Sequence, residues 1–585
     1  MSSTFSFSMN LNQPQVRSIA VPFDVHIIGK NQYLVQPATG GAAHRLDPVR
    51  LEILHSANQL ATAKDHAWAA AQAIQHPNPP ALVPLVDELT KLGLMVSEDR
   101  ILEQVLAQGE DQVAPMESLF IRSSGRPITL ERALKSLVPF SASIKRCVVI
   151  DDTRSEQSRA AVDRVLDAMR SDLHCDLIHF RRDHRAPLVQ KLAALSGVDP
   201  ERLSWFVDGP ADRNDSYGCG INLALLLSAG QRMLMLDDDA TFNASNVKHV
   251  SPAAITAFPV QPGSGLPFGG HTSEPLELNP IRAHEQVLGR KVGNLEAAPK
   301  SVELAVPDMV LWMRHSGSIR LSVNGVMGDP GTRQPHWLFW QSPDRLVPWR
   351  DLDQYQQSLH ERRAIRRELG PRIVSAYSVM TTTLTGIDNS LPMPPTLPFS
   401  VGEDTALGEF KRFTEPGSLL HSADWMLEHA PETPRHWTRE NVAEPMIHNV
   451  GTFFKHALSN AAWSCTSKTS EARMQSLSTF MHDLAQAKKH DLNQELFRQT
   501  LEVRSKLCLK LETAREQWLG CDHVVEDIDQ LRNANQGGDW HPKFDRPDDM
   551  VESIRRIATG YAEGLDDWLE AWQTASQHSL DALIE

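Results

Sequence analysis

Long apolar runs are missing from this 585-residue chain. No stretch approaches the roughly 18 residues that a membrane-spanning helix needs, so a helical span is excluded. Cysteine is sparse: Cys147, Cys175, Cys219, Cys465, Cys508 and Cys521 are scattered with no CxxC pair. That argues against a disulfide framework or a zinc ribbon and fits reduced thiols in a cytoplasmic protein. Positive charge is in deficit, with 58 Lys+Arg against 73 Asp+Glu and a formal net charge of −15. A general affinity for nucleic acid or an anionic membrane is therefore not expected. Met1 to Gln15 lacks the charged start and apolar centre of a secretory signal. No repeat or low-complexity tract is present. What is there is ordinary: 41% hydrophobic and 22% charged residues. At roughly 100–200 residues per domain, the length predicts about three or four domains.

The first region spans about 21–106. Val25-His-Ile-Ile and Tyr33-Leu-Val read as strands around a turn at Gly29–Gln32. Asp47 is a good N-cap and Pro48 suits the first helical position. Leu51, Leu54 and Leu60 continue a helical face, and Ala67–Ile74 forms a second helix. Leu82, Leu85, Val86, Leu89 and Leu92 make a third stripe, ended by Gly93. Two strands and three short helices make a winged-helix-like unit. It has few Lys or Arg, so it carries no DNA-reading helix.

The order of this unit, with Tyr33-Leu-Val, Leu46-Asp-Pro and Leu89-Thr-Lys-Leu-Gly-Leu94, resembles the recognition element of ribosomal peptide natural-product pathways, which is related to PqqD. The resemblance implies that a leader peptide adds a strand to the small sheet. The implied edge is Ile27–Val35 with the helix near Leu82–Leu92.

The second region, about 118–432, alternates short apolar runs with helical spacing. Leu119-Phe-Ile-Arg122, Cys147-Val-Val-Ile150, Leu177-Ile-His-Phe180 and Arg232-Met-Leu-Met-Leu236 read as strands, Thr129–Leu137 and Ile221–Ala229 as helices. This is an α/β pattern, in which ligands bind beyond the carboxyl ends of the strands. Polar clusters follow three strands: Arg122-Ser-Ser-Gly-Arg126, Asp151-Asp-Thr-Arg154 and Asp237-Asp-Asp239. Alternate carboxylates at Asp237 and Asp239 suit one hard cation, Mn²⁺ or Mg²⁺. A lone Asp triplet is more often a helix cap or solvated turn; its place after an apolar strand favours the cation.

These motifs, with Gly218-Cys-Gly-Ile-Asn-Leu-Ala224, resemble the metal-dependent GT-A glycosyltransferases, particularly glycosyltransferase family two. The resemblance covers about 300 residues. It implies a Rossmann-like core and a nucleotide-sugar donor. Arg122, Ser123, Gly125 and Arg126 would line the nucleotide pocket, and Asp151 or Asp152 would hold the base. Asp237 would serve ribose or metal, Asp238 the donor and Asp239 the metal. Asn222 faces the donor in that pattern or caps a helix, with Arg213-Asn214 as an alternative. Gly402-Glu-Asp404 matches the family's Glu-Asp motif, which makes Asp404 the general base and Glu403 its supporting neighbour in an inverting displacement. The same pair at a helix start is also a routine charge arrangement. His421 is a candidate third metal ligand, the plainer reading being a partly buried histidine on a helix.

An insertion at about 250–373 departs from the family pattern. Its Gly263-Ser-Gly265, Phe268-Gly-Gly-His271 and Asn324-Gly-Val-Met-Gly-Asp-Pro-Gly331 suggest loops around a cleft rather than extra core. Thr385-Gly-Ile-Asp-Asn389 reads as an acceptor-site turn. The third region, about 434–585, is helical, and Trp518, Trp540, Trp568 and Trp572 suggest a packed bundle or a face for self-association. The resulting expectation is a cytoplasmic glycosyltransferase acting on a ribosomally made peptide. The alternatives are a glycan, lipid or small-molecule acceptor, or a peptide-binding scaffold without activity.

Overall fold

In the computed structural model, the described residues are 16–38, 40–111, 113–213, 215–247, 257–258, 265–267, 273–296, 301–303, 316–332, 334–340, 343, 347–361, 364–366, 371–375, 383–465, 467, 469–537 and 546–584. The expectations for His271, Asn214 and Trp540 lie outside them. Two compact units emerge: Met1–Ala107 with Thr256–Val260 and Glu303–Ser316, and Gln108–Ile255 with Gln261–Val302 and Gly317–Glu585.

In the first unit, strands β1 (Arg17–Ala20), β2 (Phe23–Gly29), β3 (Gln32–Pro37), β4 (His44–Leu46), β5 (Ala61–Thr62) and β6 (Met95–Ser97) form two small sheets, ordered β5-β1-β6 and β2-β3-β4. Helices α1 (Pro48–Ser56), α2 (Ala63–Ala73), α3 (Val83–Lys91) and α4 (Glu98–Val105) complete it. The Asp47 side chain accepts from Arg50 N at 2.9 Å, so the expected cap forms, with Pro48 as the first helical residue. Leu51, Ile53, Leu54, Leu82, Val86 and Leu89 fill the core. Leu60 lies beyond the end of α1 and is not part of its face. The hairpin β2–β3 turns where expected, through Asn31 at φ 57°. The sequence reading missed β1, which begins before residue 21, together with β4, β5, β6 and α4; the strands are too short to show a period.

The second unit is built on a mixed sheet. Its parallel half comprises β7 (Met116–Ser123), β8 (Arg146–Asp151), β9 (Asp176–Arg181) and β10 (Gln231–Asp237). Leu119–Ile121, Cys147–Ile150 and Met233–Leu236 are buried, as near-continuous apolar runs covered on both faces should be. Helices α5 (Pro127–Leu137), α6 (Glu156–Met169), α7 (Arg185–Ser196), α8 (Pro200–Asp208) and α9 (Cys219–Leu227) cover this half. The sheet continues through β11 (Ser318–Gly328), β12 (Arg372–Val374), β13 (Thr385–Asn389) and β14 (Ser418–His429), in the order β12-β14-β11-β13-β10-β7-β8-β9. Strand β13 is antiparallel to both neighbours, whereas β11 and β14 run parallel to each other and in the same sense as β10.

Two expectations are corrected here. The stretch 318–328 is a central strand with Ile319, Leu321, Val323 and Val326 buried, so part of the presumed loop insertion is sheet core. Thr385–Asn389 is a buried strand rather than an acceptor-site turn: Asp388 pairs with Arg320, and Asn389 donates to Leu225 O at 2.7 Å. The helices α10 (Glu403–Thr414), α11 (Val450–Ser464), α12 (Ser470–Gln486), α13 (Lys489–Gln517), α14 (Asp522–Gln536) and α15 (Pro547–Ser576) belong to the same compact unit. Trp518 packs with Trp349 and Tyr355, whereas Trp568 packs against Phe206 of α8. Among the described residues, no helix is long and apolar enough to cross a membrane.

Candidate active site

The strand order places the carboxyl ends of β7, β8, β10, β11 and β14 on one rim. Beyond that rim lies a cleft of about 410 Å³ lined by Arg122, Ser123, Arg126, Asp152, Asp237, Asp239, Glu403, Asp404, His429 and Arg435, with Tyr217, Gly331, Thr332 and Thr383 among the others. The polar clusters expected at three strand ends therefore do converge.

Arg122 and Asp237 are register partners at the ends of adjacent strands. Arg122 Nε and Nη2 both donate to Asp237 Oδ1, at 2.9 and 2.6 Å, and Nη1 lies 4.0 Å from Glu403 Oε1. Burial works against the guanidinium charge, but Asp237, Asp404 and Glu403 outweigh it and raise its pKa. Gly125, at φ 66°, turns the loop after β7 and donates its N–H to Thr153 Oγ1 at 2.7 Å. That turn brings Arg126 over the acidic triplet, with Nη2 at 2.7 Å from Asp238 Oδ1 and Nη1 at 3.2 Å from Asp239 Oδ2.

The three aspartates separate into different roles. Asp238 is fully buried, accepts from Ser123 Oγ at 2.7 Å and does not line the cleft, so its expected donor contact is corrected to a supporting role. Burial pushes its carboxyl up to about 7. Asp239 reaches the cleft, and His429 Nε2 lies 3.2 Å from its Oδ1. Burial pushes Asp239 upward, but His429 and Arg126 hold it down at about 2. His429 Nδ1 donates to the Asp329 carbonyl at 2.6 Å, which fixes the ring with Nε2 toward the carboxylate.

The assignment of His421 to the metal is corrected. It is a strand residue, in register with Ser322 and Ile373, where burial lowers its pKa to about 4. It lies eight positions before His429 on β14, roughly 25 Å toward the opposite end of the sheet. His429, which the sequence reading missed, is the histidine on the rim. No local sequence signal distinguishes it from His421. Among the described residues, no group of three or more His, Cys, Asp or Glu side chains is arranged to hold a metal ion. The pair Asp239 and His429 offers an oxygen and a nitrogen with the imidazole oriented from behind, which fits a cation completed by substrate oxygens.

Of the two base-binding alternatives, Asp152 lines the cleft and Asp151 does not. Asp151 is buried, accepting from Thr153 N at 2.9 Å and from His179 Nε2 at 3.1 Å. Asp152 accepts from Arg182 at 3.0 Å and from Arg185. Asn222 is corrected too: it is fully buried, donating to Phe206 O at 2.9 Å and Thr396 O at 3.0 Å and accepting from Thr396 N at 2.7 Å. Its amide is thereby committed to the protein. Arg213 pairs with Asp215 at 2.5 Å and is not among the cleft residues.

Glu403 and Asp404 open α10 after Gly402, whose φ of 101° only glycine adopts easily. Burial and the neighbouring Glu403 push the Asp404 carboxyl well above the usual range, with Arg122 opposing. Its Oδ1 is buried without a hydrogen-bond partner. The arrangement can hold an anion between arginines, offer one carboxylate–imidazole pair to a cation, and present a carboxyl of raised proton affinity beside the Arg122–Asp237 pair. Tyr217, 54% exposed, adds an aromatic surface at the mouth.

No protein-family model matches the chain, and no curated protein matches it. Among solved structures, the chain is similar to the mannosyltransferase PcManGT from Pyrobaculum calidifontis in complex with GDP-Man and Mn²⁺, at 10% identity over 75% of this chain and 92% of that chain, with a TM-score of 0.28. A likeness of that size carries no weight for function.

Proposed function

We propose that the chain is a metal-dependent, inverting glycosyltransferase that uses a nucleotide-sugar donor. The observation that supports this best is the cleft at the strand ends, where Arg122, Arg126, Asp237, Asp239 and His429 face Glu403 and Asp404. Arg126 and Arg435 supply positive charge for a diphosphate, and Asp152 accepts from a base N–H. Asp239 and His429 would hold a Mn²⁺ or Mg²⁺ ion, which would supply positive charge against the departing diphosphate. Asp404 takes the proton from the attacking acceptor atom, and burial, with the like charge of Glu403, keeps that carboxyl's proton affinity high. Attack opposite the leaving group inverts the sugar centre.

Calorimetry with nucleoside diphosphates and Mn²⁺ tests the donor site. His429→Ala is expected to weaken Mn²⁺-dependent binding by roughly tenfold or more, while His421→Ala leaves it unchanged. Equal effects of the two substitutions would remove the metal pair from the proposal.

The acceptor proposed is a ribosomally made peptide recruited by the N-terminal unit. Strand β2 ends one sheet in the order β2-β3-β4, and Ile27 and Ile28 on it are 79% and 48% exposed. An edge strand with exposed branched side chains suits strand addition by an extended peptide. Ile27→Asp with Ile28→Asp is expected to raise KM for a leader-bearing peptide encoded beside this gene, with unchanged transfer to a leaderless acceptor. An unaltered KM points instead to a glycan, lipid or small-molecule acceptor.

A further inference from the structure

We propose that the C-terminal helices α11 and α15, together with α9, form a clamp that sets the position of Asp404, with Thr396, Asn222, Tyr561 and Trp568 as positioning residues. The inference rests on the transferase reading for the role of Asp404, and on independent contacts for the clamp itself.

The segment before α10, Leu391-Pro-Met-Pro-Pro-Thr-Leu-Pro398, is an irregular stretch whose residues 393–400 are buried. A buried loop must satisfy its backbone polar groups without a ladder. Proline at 392, 394, 395 and 398 removes N–H donors, leaving mainly carbonyls to pair. Side chains from two helices meet them. From α15, Trp568 Nε1 donates to Met393 O at 2.8 Å and the Tyr561 hydroxyl donates to Pro395 O. From α9, Asn222 bonds both the N–H and the carbonyl of Thr396, and Cys219 Sγ donates to Pro398 O at 3.2 Å. Tyr561 and Trp568 are fully buried, so each polar tip is committed to this contact.

The loop then passes its position to the site. Thr396 Oγ1 donates to the Glu403 carbonyl at 2.5 Å, one residue from Asp404. From the other side, α11 presses Gly451 on Gly402: a β-carbon on Gly451 would lie 2.3 Å from Gly402 O, and one on Gly402 would lie 2.8 Å from Gly451 Cα. The first turn of α10 is thus held from α15 through the carbonyls of Met393 and Pro395, from α9 through Asn222 and Thr396, and from α11 through the glycine pair. Tyr561 and Trp568 of α15 thus pin the loop that leads into Glu403 and Asp404, which assigns the helical region a part in catalysis beyond bundle packing.

The test uses the full-length chain with Thr396→Val, Tyr561→Phe and Trp568→Phe, each removing one hydrogen-bonding group. Hydrogen exchange by mass spectrometry is read over Ala406–Phe410, and kcat and KM are measured with a nucleotide sugar. The expected result is exchange at least tenfold faster in that turn and kcat at least tenfold lower, with donor KM within twofold of wild type. Thr396→Ser, which keeps the hydroxyl, restores both. Unchanged exchange at Ala406–Phe410 together with a lowered melting temperature would overturn the clamp, as would parallel losses in kcat and donor affinity. Exchange is read without substrate, so failure of the transferase reading, seen as no nucleotide binding by the wild type, is separable from failure of the clamp.

Discussion

Asp404→Asn is expected to lower turnover of a nucleotide sugar by roughly 10²–10⁴-fold, the usual range for loss of a general base, while nucleotide affinity stays unchanged. The carboxyl sits in the first turn of α10, lines the cleft and keeps Oδ1 buried without a partner. Burial first, and the Glu403 charge second, hold its pKa well above the carboxylate range. Below that pKa the carboxyl is protonated and cannot accept the acceptor's proton, so turnover should rise with pH until the pair ionises. The asparagine variant should show no such limb. Stability must move the other way. The folded chain binds a proton here more tightly than the unfolded chain, so the carboxyl costs stability above its unfolded pKa, increasingly as pH approaches the folded value. Asp404→Asn should therefore melt higher than wild type at neutral pH while losing activity, as expected for a strained functional group. Rates measured from pH 5 to 9 beside thermal melts decide this; wild-type turnover in the variant removes Asp404 from the chemistry.

Arg122→Met is expected to destabilise the fold by about 3–5 kcal/mol, the scale for breaking a buried ion pair from one side. The Arg122 side chain is 16% exposed and satisfies Asp237 through two hydrogen bonds, with Glu403 at 4.0 Å and the Tyr217 carbonyl at 3.3 Å. Its loss leaves several carboxylates crowded at the rim with less compensating charge, and the already raised proton affinities of Glu403 and Asp404 rise further. The penalty should shrink as pH falls, because protonated carboxyls no longer need the guanidinium. Arg122→Lys recovers part of the charge but not the two-point contact, and should fall between wild type and Met. Urea unfolding at pH 5 and pH 7.5 reads both trends. A penalty independent of pH would show that packing, rather than charge, dominates at Arg122.

The parallel strands were legible because burial on both faces leaves unmistakable runs, as in Cys147–Ile150 and Met233–Leu236. Their polar followers were legible for the same reason, since strand ends in such sheets face the ligand side. Glu403 at a helix start was equally readable. Strand β11 was not, because Asn324-Gly-Val-Met-Gly328 mixes glycine and polar residues in a way that resembles loops, although pairing with β13 and β14 makes it central.

Histidine choice shows the limit most plainly. His421 and His429 lie on one strand, and local sequence does not say which end of that strand reaches the rim. Pairing of β14 parallel to β11 decides it, since direction within a sheet is set by hydrogen-bond partners far away in the chain. Asn222 failed for a related reason: a polar group on an apolar helix reads equally as ligand contact or internal bond until its partner is known. By itself, the sequence determined an α/β core with acidic and basic residues at strand ends, because local period and burial write themselves into residue order. Only tertiary structure decided which carboxylate meets which arginine, which histidine faces the cleft, and that buried helices hold a proline-rich loop in place, because those pairings depend on contacts between residues far apart in the chain, such as Arg122 with Glu403 and Asp239 with His429.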